Sequence, residues 1–167
     1  MKMIAKRIAL ILYFSMVSGF AACGDDVPGS PDGIGQKISD VYHEFLGELK
    51  PMLASKPEAA TIAPKLKDLR EKYIQKFVAL GKAQQAMSEN DRRAVSAANM
   101  KANSEKQSKD RGLYDFGWLN EALAHYNKVD PNNAGKMLAD VSILSQYAYF
   151  DLLKKQAPEE AKRLGIE

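Results

Sequence analysis

The chain has 167 residues, of which 46% are hydrophobic and 27% are charged. This length and balance predict one globular domain and exclude an intrinsically disordered chain. The formal charge is +3, yet three of the 24 basic residues, Lys2, Lys6 and Arg7, precede the first apolar segment. Without these three, the basic side chains equal the 21 acidic ones in number. The rest of the chain therefore has no electrostatic reason to bind nucleic acid, and we expect no such partner.

The first 22 residues have the pattern of a cleaved signal peptide. Residues 1–7 are cationic, residues 8–20 are apolar, and two small residues, Ala21 and Ala22, precede the only cysteine, Cys23. The apolar segment is shorter than the roughly 20 residues that a spanning helix needs. The sequence therefore predicts export, with residues 1–22 removed.

The residues Phe20-Ala21-Ala22-Cys23 resemble the lipobox of bacterial lipoprotein precursors. This resemblance implies cleavage before Cys23, a diacylglycerol on its sulfur and an acyl chain on its amino group. Phe20 departs from the pattern, because the class usually carries an aliphatic residue there. Two acyl chains suffice for stable anchoring in a membrane. The alternative is an ordinary secretory signal that leaves Cys23 as a free thiol, and such a thiol invites pairing between molecules in an oxidising compartment.

The residue after the cysteine bears on the destination of a lipoprotein. By resemblance to the enterobacterial sorting rule, an aspartate there favours retention in the inner membrane. This chain has Gly24 at that position, so we expect the outer membrane, with the domain facing the periplasm. Residues 24–33 are rich in Gly, Pro, Asp and Ser, which predicts a flexible tether with a mean span of about 16 to 19 Å. We therefore divide the mature chain into the lipidated cysteine with its tether, residues 23–33, and a helical domain, residues 34–167.

Apolar residues recur at helical spacing from Ile34 onwards. A first helix ends or kinks at Pro51, and a second helix follows with a regular apolar stripe. Ser88 and Asp91 have the spacing of a capping box, which predicts the start of a third helix that runs to about Lys109. The apolar face of this third helix is made of small residues, so we expect it to lie outermost or to be mobile.

Two more main helices and a short one are predicted after the turn at Arg111-Gly112. The fourth runs from about Asp115 to Lys128, and a fifth, beyond the break at residues 130–133, carries a wide apolar face up to Leu153. We expect this fifth helix to be central. A last short helix begins at Pro158 and ends near Gly165. The fold prediction is an all-α, single up-and-down bundle of four or five main helices.

The chain has few residues suited to catalysis or metal binding. Its two histidines, His43 and His125, each have a carboxylate on the same helix face, but neither has the Glu-x-x-His spacing of bundle di-iron sites. We therefore expect no metal and no cofactor other than the lipid on Cys23. Nucleophile motifs such as Gly-x-Ser-x-Gly and phosphate-binding glycine loops do not occur, so we expect no enzymatic activity.

Aromatic residues cluster at two places, and aromatic rings are enriched in protein interfaces. Tyr114, Phe116 and Trp118 open the predicted fourth helix, and Tyr147, Tyr149 and Phe150 lie in the fifth. On a helix, Tyr149 points roughly 100° away from Phe150, so at least one of these rings should lie near the surface. The favoured interpretation is that the rings fill the core and its rim. The alternative is a partner-binding surface, with Trp118, Tyr147 and Tyr149 as its candidate residues.

Two functions remain open from the sequence. The first is a membrane-anchored lipoprotein whose helical periplasmic domain binds another envelope protein, as an adaptor does, through an amphipathic groove. The second is a helical bundle that encloses a small apolar or metal-containing ligand.

Overall fold

The structure, a computed structural model, describes residues 27–166, over which it is an all-α bundle without a β-strand, as predicted. Its α-helices are α1 (Pro31–Leu53), α2 (Ala59–Gln85), α3 (Glu89–Lys109), α4 (Arg111–Tyr114), α5 (Gly117–Val129), α6 (Lys136–Ala139), α7 (Phe150–Gln156) and α8 (Pro158–Arg163). None of the helices in this range is long and apolar enough to cross a membrane. Cys23 and the predicted signal peptide lie outside the described residues, so their processing stays a prediction.

Helix α1 begins three residues before the predicted start. The Ser30 hydroxyl accepts a hydrogen bond from the backbone N–H of Gly33 at 3.1 Å, and Pro31 supplies the first helical residue. A serine cap followed by proline is a favoured helix start. The serine hydroxyl satisfies a backbone N–H that would lack a partner, and proline has no N–H that needs one. The tether therefore ends at Ser30 rather than at residue 33. At its other end, α1 continues for two residues past Pro51.

Helices α1 and α2 pack against each other in antiparallel fashion. Glu44 pairs with Lys76 at 3.2 Å, and Glu48 pairs with Lys72 at 2.8 Å. Between these pairs lies the apolar core, in which the Tyr73 ring meets the edge of Phe45. The two helices together supply the largest share of the buried side chains: Ile34, Ile38, Val41, Phe45, Leu46, Leu49, Leu53, Ile62, Leu66, Leu69, Tyr73, Ile74, Phe77, Val78 and Leu80.

Helix α3 runs parallel to α1 and lies close to it. Gly35 faces the backbone near Val95, and further along both helices Asp40 pairs with Lys106 at 2.7 Å. A Cβ on Gly35 would lie 2.5 Å from the Val95 carbonyl oxygen, so glycine is needed for this close approach. Within α3 only Val95 and Ala102 are buried, which confirms its predicted outer position.

The predicted cap of α3 is confirmed, whereas the turn after α3 differs from its prediction. The Ser88 hydroxyl accepts a hydrogen bond from the Asp91 N–H at 3.2 Å and donates one to the Asp91 carboxylate at 2.7 Å. Residues Arg111–Tyr114, predicted to start with a turn, form the short helix α4 instead. The Asp110 carboxylate accepts a hydrogen bond from the Leu113 N–H and so caps this helix.

The prediction of one continuous fifth helix is wrong. This segment consists of a π-helical turn (Pro131–Gly135), α6, a 3-10 helix (Asp140–Ala148) and α7. The wide turn is held by Asp130, whose carboxylate accepts a hydrogen bond from the Ala134 N–H at 3.1 Å. Before α7 the backbone leaves helical geometry at Tyr149, because the Ala148 carbonyl accepts a hydrogen bond from the buried Gln84 side chain at 2.8 Å.

The expectation that this fifth segment is central is also wrong. Helices α1 and α2 each pack against more elements than any part of the fifth segment does: α1 packs against α2, α3, α4, α5 and the 3-10 helix, and α2 packs against α1, α3, α6, the π-helical turn and the 3-10 helix. Their lengths of 23 and 27 residues, with nine and ten buried residues, allow them to do so. The 3-10 helix lies mainly along α2.

The last helix ends as predicted near Gly165. Gly165 has a φ of +66°, the left-handed conformation that ends many helices. The N–H of Ile166 bonds to the carbonyl of Ala161 at 2.9 Å, and the N–H of Gly165 bonds to the carbonyl of Lys162 at 3.1 Å. This pair of hydrogen bonds is a Schellman motif, and it turns Ile166 back into the core.

Candidate functional site

Trp118, the first candidate contact residue, lies at the start of α5 and is half-buried. Its indole N–H donates a hydrogen bond to the Leu113 carbonyl at 3.1 Å, which fixes the ring against the short helix α4. The remaining face of the ring is available at the surface. Trp118 therefore has the partial exposure that a contact residue needs.

The rings next to Trp118 form a half-buried aromatic patch of His43, Tyr114, Phe116 and Trp118. Tyr114 stacks on His43 with 5.9 Å between ring centres, and Phe116 meets Tyr114 edge-on at 6.4 Å. Burial, with added contributions from Tyr42, Asp110 and Asp40, raises the pKa of Tyr114 to about 12. Tyr114 therefore keeps its proton at neutral pH, and its hydroxyl is buried, so the patch offers ring surfaces rather than a nucleophile.

Tyr147 does not lie at the surface, so it fits the favoured interpretation of a core ring and not the alternative of a partner-binding residue. It is 1% exposed, and its hydroxyl accepts a hydrogen bond from Arg70 at 2.9 Å and donates one to Glu160 at 3.1 Å. Burial raises the pKa of Tyr147 to about 12, against the opposing effect of the Arg70 guanidinium. The ring points inward because Tyr147 shares the buried face of the 3-10 helix with Val141 and Leu144, which precede it at intervals of three residues.

Tyr149 is half-buried and lies beside α3. Its hydroxyl accepts a hydrogen bond from the Asn99 side chain at 2.9 Å. Burial raises the pKa of Tyr149, although the hydrogen bond from Asn99 acts in the opposite direction. Trp118, Tyr147 and Tyr149 therefore have different neighbours, and the structure does not bring them together in one cluster.

The interior of the bundle is filled. A cavity of about 10 Å³ lies between α2 and the 3-10 helix, beside Leu69, Arg70 and Leu144. This volume holds at most one water molecule, and drug-sized ligands need hundreds of Å³. It therefore gives no support to an enclosed apolar ligand.

The two histidines have separate surroundings. His43 stacks on Tyr114, whereas the ring of His125 meets the edge of the Tyr126 ring at 4.8 Å. Across residues 27–166, no three His, Cys, Asp or Glu side chains are grouped closely enough to hold a metal ion. The histidine arrangement therefore gives no support to a metal-containing ligand either.

The structure has a surface groove that the sequence did not predict. It lies between α1 and α3, has a volume of about 500 Å³, and is lined by Asp32, Gln36, Ala94, Ala97, Ala98, Lys101 and Glu105. Its lining combines three alanines with charged residues of both signs and one glutamine. We call it the alanine groove. The alanines of α3 indicate a shallow helix face. Whether that face lines a groove depends on where α1 lies, and local sequence does not predict the position of α1.

A second feature that sequence reasoning missed is a polar network between α2, the 3-10 helix and α8. The Arg163 guanidinium donates to both carboxylate oxygens of Glu71 at 3.2 Å, and Glu160 links Arg163 to Tyr147. Arg163 and Glu71 are separated by 92 positions, so no local pattern could have paired them.

Comparison of the chain with family models, curated proteins and solved structures finds no match.

Proposed function

We propose that this protein is a lipid-anchored envelope protein that binds another protein through the alanine groove. The groove carries the proposal, because it is open to the surface between two helices and its lining combines alanines with charged residues of both signs. These properties fit an amphipathic helix or extended segment of a partner, which lays its apolar side chains into such a groove. The filled interior supports a function at the surface.

The lipid anchor is the second part of the proposal. It rests on the lipobox-like residues that end at Cys23. Residues 24–30 lie between Cys23 and α1, and fully extended they reach about 25 Å. The domain would therefore stay close to the membrane surface, which we propose to be the periplasmic side of the outer membrane. Anchoring of this kind brings the groove to partners within the envelope, and the proposal includes no catalytic step.

Photo-crosslinking tests the groove. A benzophenone amino acid is placed at Ala97, an exposed residue that lines the groove, and in a matched variant at Ser96, an exposed neighbour that does not. We expect a discrete protein adduct from position 97 in intact cells and little from position 96. A bulky Ala94→Trp substitution should fill the groove and remove the adduct. Equal adducts from positions 96 and 97 would contradict a specific groove.

Metabolic labelling with a fatty-acid analogue tests the anchor separately. We expect the native chain to carry the label and to pellet with membranes, and the Cys23→Ser variant to do neither. A native chain without label would contradict the lipoprotein part of the proposal. The crosslinking result would still decide the groove, because the two experiments have independent readouts.

A further inference from the structure

Residues 157–166, the last ten that the structure describes, lie over α2 and the 3-10 helix as a short appended segment. The backbone leaves helical geometry at Ala157, with φ −140° and ψ 66°, and α8 then spans six residues. A helix of this length is not stable by itself, so its position depends on what its side chains contact. We call residues 157–166 the strap.

Polar contacts hold the strap to α2. Arg163 binds Glu71 through two hydrogen bonds, and both side chains are 43% exposed. Exposed ion pairs contribute little to stability because water screens them and two long side chains must be ordered. Glu160 adds a hydrogen bond from the Tyr147 hydroxyl. Burial raises the pKa of Glu160, but the hydrogen bonds from Arg163 and Tyr147 outweigh it and lower that pKa overall.

Few apolar contacts add to these polar ones. Ala161 is the one buried residue of α8, and Ile166 follows it into the core. By contrast, α1 buries nine residues and α2 buries ten. Segments with few buried apolar contacts open at a lower free energy than the whole protein unfolds.

The strap covers Tyr147. The ring is 1% exposed while Glu160 holds its hydroxyl from one side and Arg70 from the other. The Nε of Arg70 is also buried, without a hydrogen-bond partner among the described residues. Displacement of the strap would expose the Tyr147 ring beside the Arg70 guanidinium, which is already partly exposed and also pairs with Asp140 at 3.5 Å.

We propose that the strap opens as a unit at Ala157 while the three long helices stay folded, and that in its closed state it hides Tyr147 from partners. Opening requires the loss of the Arg163–Glu71 and Glu160–Tyr147 contacts and the exit of Ala161 and Ile166 from the core. This proposal depends neither on the lipid anchor nor on the alanine groove.

Thiol labelling measures the opening directly. In a full chain with Cys23→Ser, a single cysteine is introduced by Ala161→Cys or, as a matched control, by Ala122→Cys. Both alanines are 2% exposed, but Ala122 lies in α5. We expect a thiol reagent to modify the cysteine at 161 at least about tenfold faster than the one at 122 under native conditions. Equal rates would overturn the proposal, because they would mean that both sites open only when the whole domain unfolds.

Variants of the polar contacts test what holds the strap. Arg163→Gln should speed labelling at position 161 severalfold and leave position 122 unchanged, whereas the neighbouring Lys162→Gln should change neither. A parallel measurement avoids the introduced cysteines: tyrosine nitration, mapped by mass spectrometry, should rise at Tyr147 but not at the equally buried Tyr126 in Arg163→Gln. If Arg163→Gln raises the modification of both tyrosines alike, the strap is not a separate unit.

Discussion

The helices α1 to α3 and the residues from 131 to 166 contain similar apolar spacing but have different backbones. The first region forms three helices of 21 or more residues, whereas the second is divided into a π-helical turn, a 3-10 helix and three short α-helices. In both regions the residues at helical spacing are buried. Apolar spacing therefore determines which side chains enter the core, while contacts between distant segments determine the type and length of the helix.

The contacts that break the second region are specific. Gly135 lies against Asn127, where a Cβ would be 2.5 Å from the Asn127 side-chain oxygen, so the π-helical turn packs closely on α5. Gln84 takes the carbonyl of Ala148 as its hydrogen-bond acceptor and interrupts the helix there. Phe150 packs on Gly81, where a Cβ would overlap the ring. The second region therefore follows the surface of α2 and α5 instead of its own helical propensity.

The largest expected effect comes from a matched pair of phenylalanines. Phe77→Ala in α2 should lower the free energy of unfolding by about 4 to 5 kcal/mol, because Phe77 is fully buried among long helices that cannot collapse around the cavity. Phe150→Ala in α7 should cost less, about 2 to 3 kcal/mol, because short helices adjust more easily. Urea unfolding monitored by circular dichroism measures both values. A larger loss for Phe150→Ala would contradict the comparison.

The next largest effect should come from Gly35, with Gly47 in the same helix as the control. Gly35→Ala should destabilise the protein by roughly 1 to 3 kcal/mol, since the added methyl group would clash with the α3 backbone. Gly47→Ala meets no atom within 4 Å and should stabilise by about 0.5 to 1 kcal/mol through helix propensity. Melting temperatures that shift in opposite directions would support this. A rise in both would mean that α1 and α3 are less closely packed than described.

Helix caps should show a smaller effect that is similar in the two regions. Ser88→Ala removes the cap of α3, and Asp130→Ala removes the cap of the π-helical turn. Each should cost about 1 kcal/mol, because capping is a local interaction between a side chain and nearby N–H groups. Chemical denaturation of both variants provides the measurement. A cost at Asp130 several times that at Ser88 would show that the π-helical turn organises much more than its own backbone.

The smallest expected effect is on the stability of the protein at acidic pH. Hydrogen bonds from Lys72 and Tyr73 lower the pKa of Glu48 below its ordinary value of 4.5, against a smaller effect of burial. A lowered pKa in the folded state stabilises the protein above pH 4.5, and this contribution is lost as the pH falls through the folded-state value. Glu48→Gln should therefore lose less stability than the native chain between pH 7 and pH 3. Glu105→Gln is the control, and an identical acid response in all three proteins would contradict the prediction.

The sequence predicts the first region well because its determinants are local. The serine and aspartate that cap α3 and the apolar stripe of α2 act within a few residues. The glycine that ends α8 is also local, and it marks the one helix end that the sequence predicts correctly in the second region. The breaks at Gly135 and Tyr149 depend on Asn127 and Gln84, whose positions are set by the assembled bundle. Those breaks could not be predicted from spacing alone.

The candidate functional residues also differ in how well the sequence predicts their exposure. Trp118 was selected by residue type, and the structure leaves it half-exposed. Tyr147 was selected by the same reasoning and is buried, because its exposure depends on the 3-10 geometry and on the strap. The alanine groove is formed by two helices that are distant in sequence, so only the fold reveals it.

The parallel arrangement of α1 and α3 has a consequence for association rates. Two helix N-termini lie at one end of the bundle, and the acidic residues Asp32, Glu89 and Asp91 in their first turns offset their positive dipole ends. The antiparallel α2 opposes both dipoles. With formal charges balanced beyond the predicted signal peptide, little long-range field remains to guide a partner. A partner should therefore associate at an unsteered rate of about 10⁵ to 10⁷ M⁻¹s⁻¹, and that rate should change little with salt.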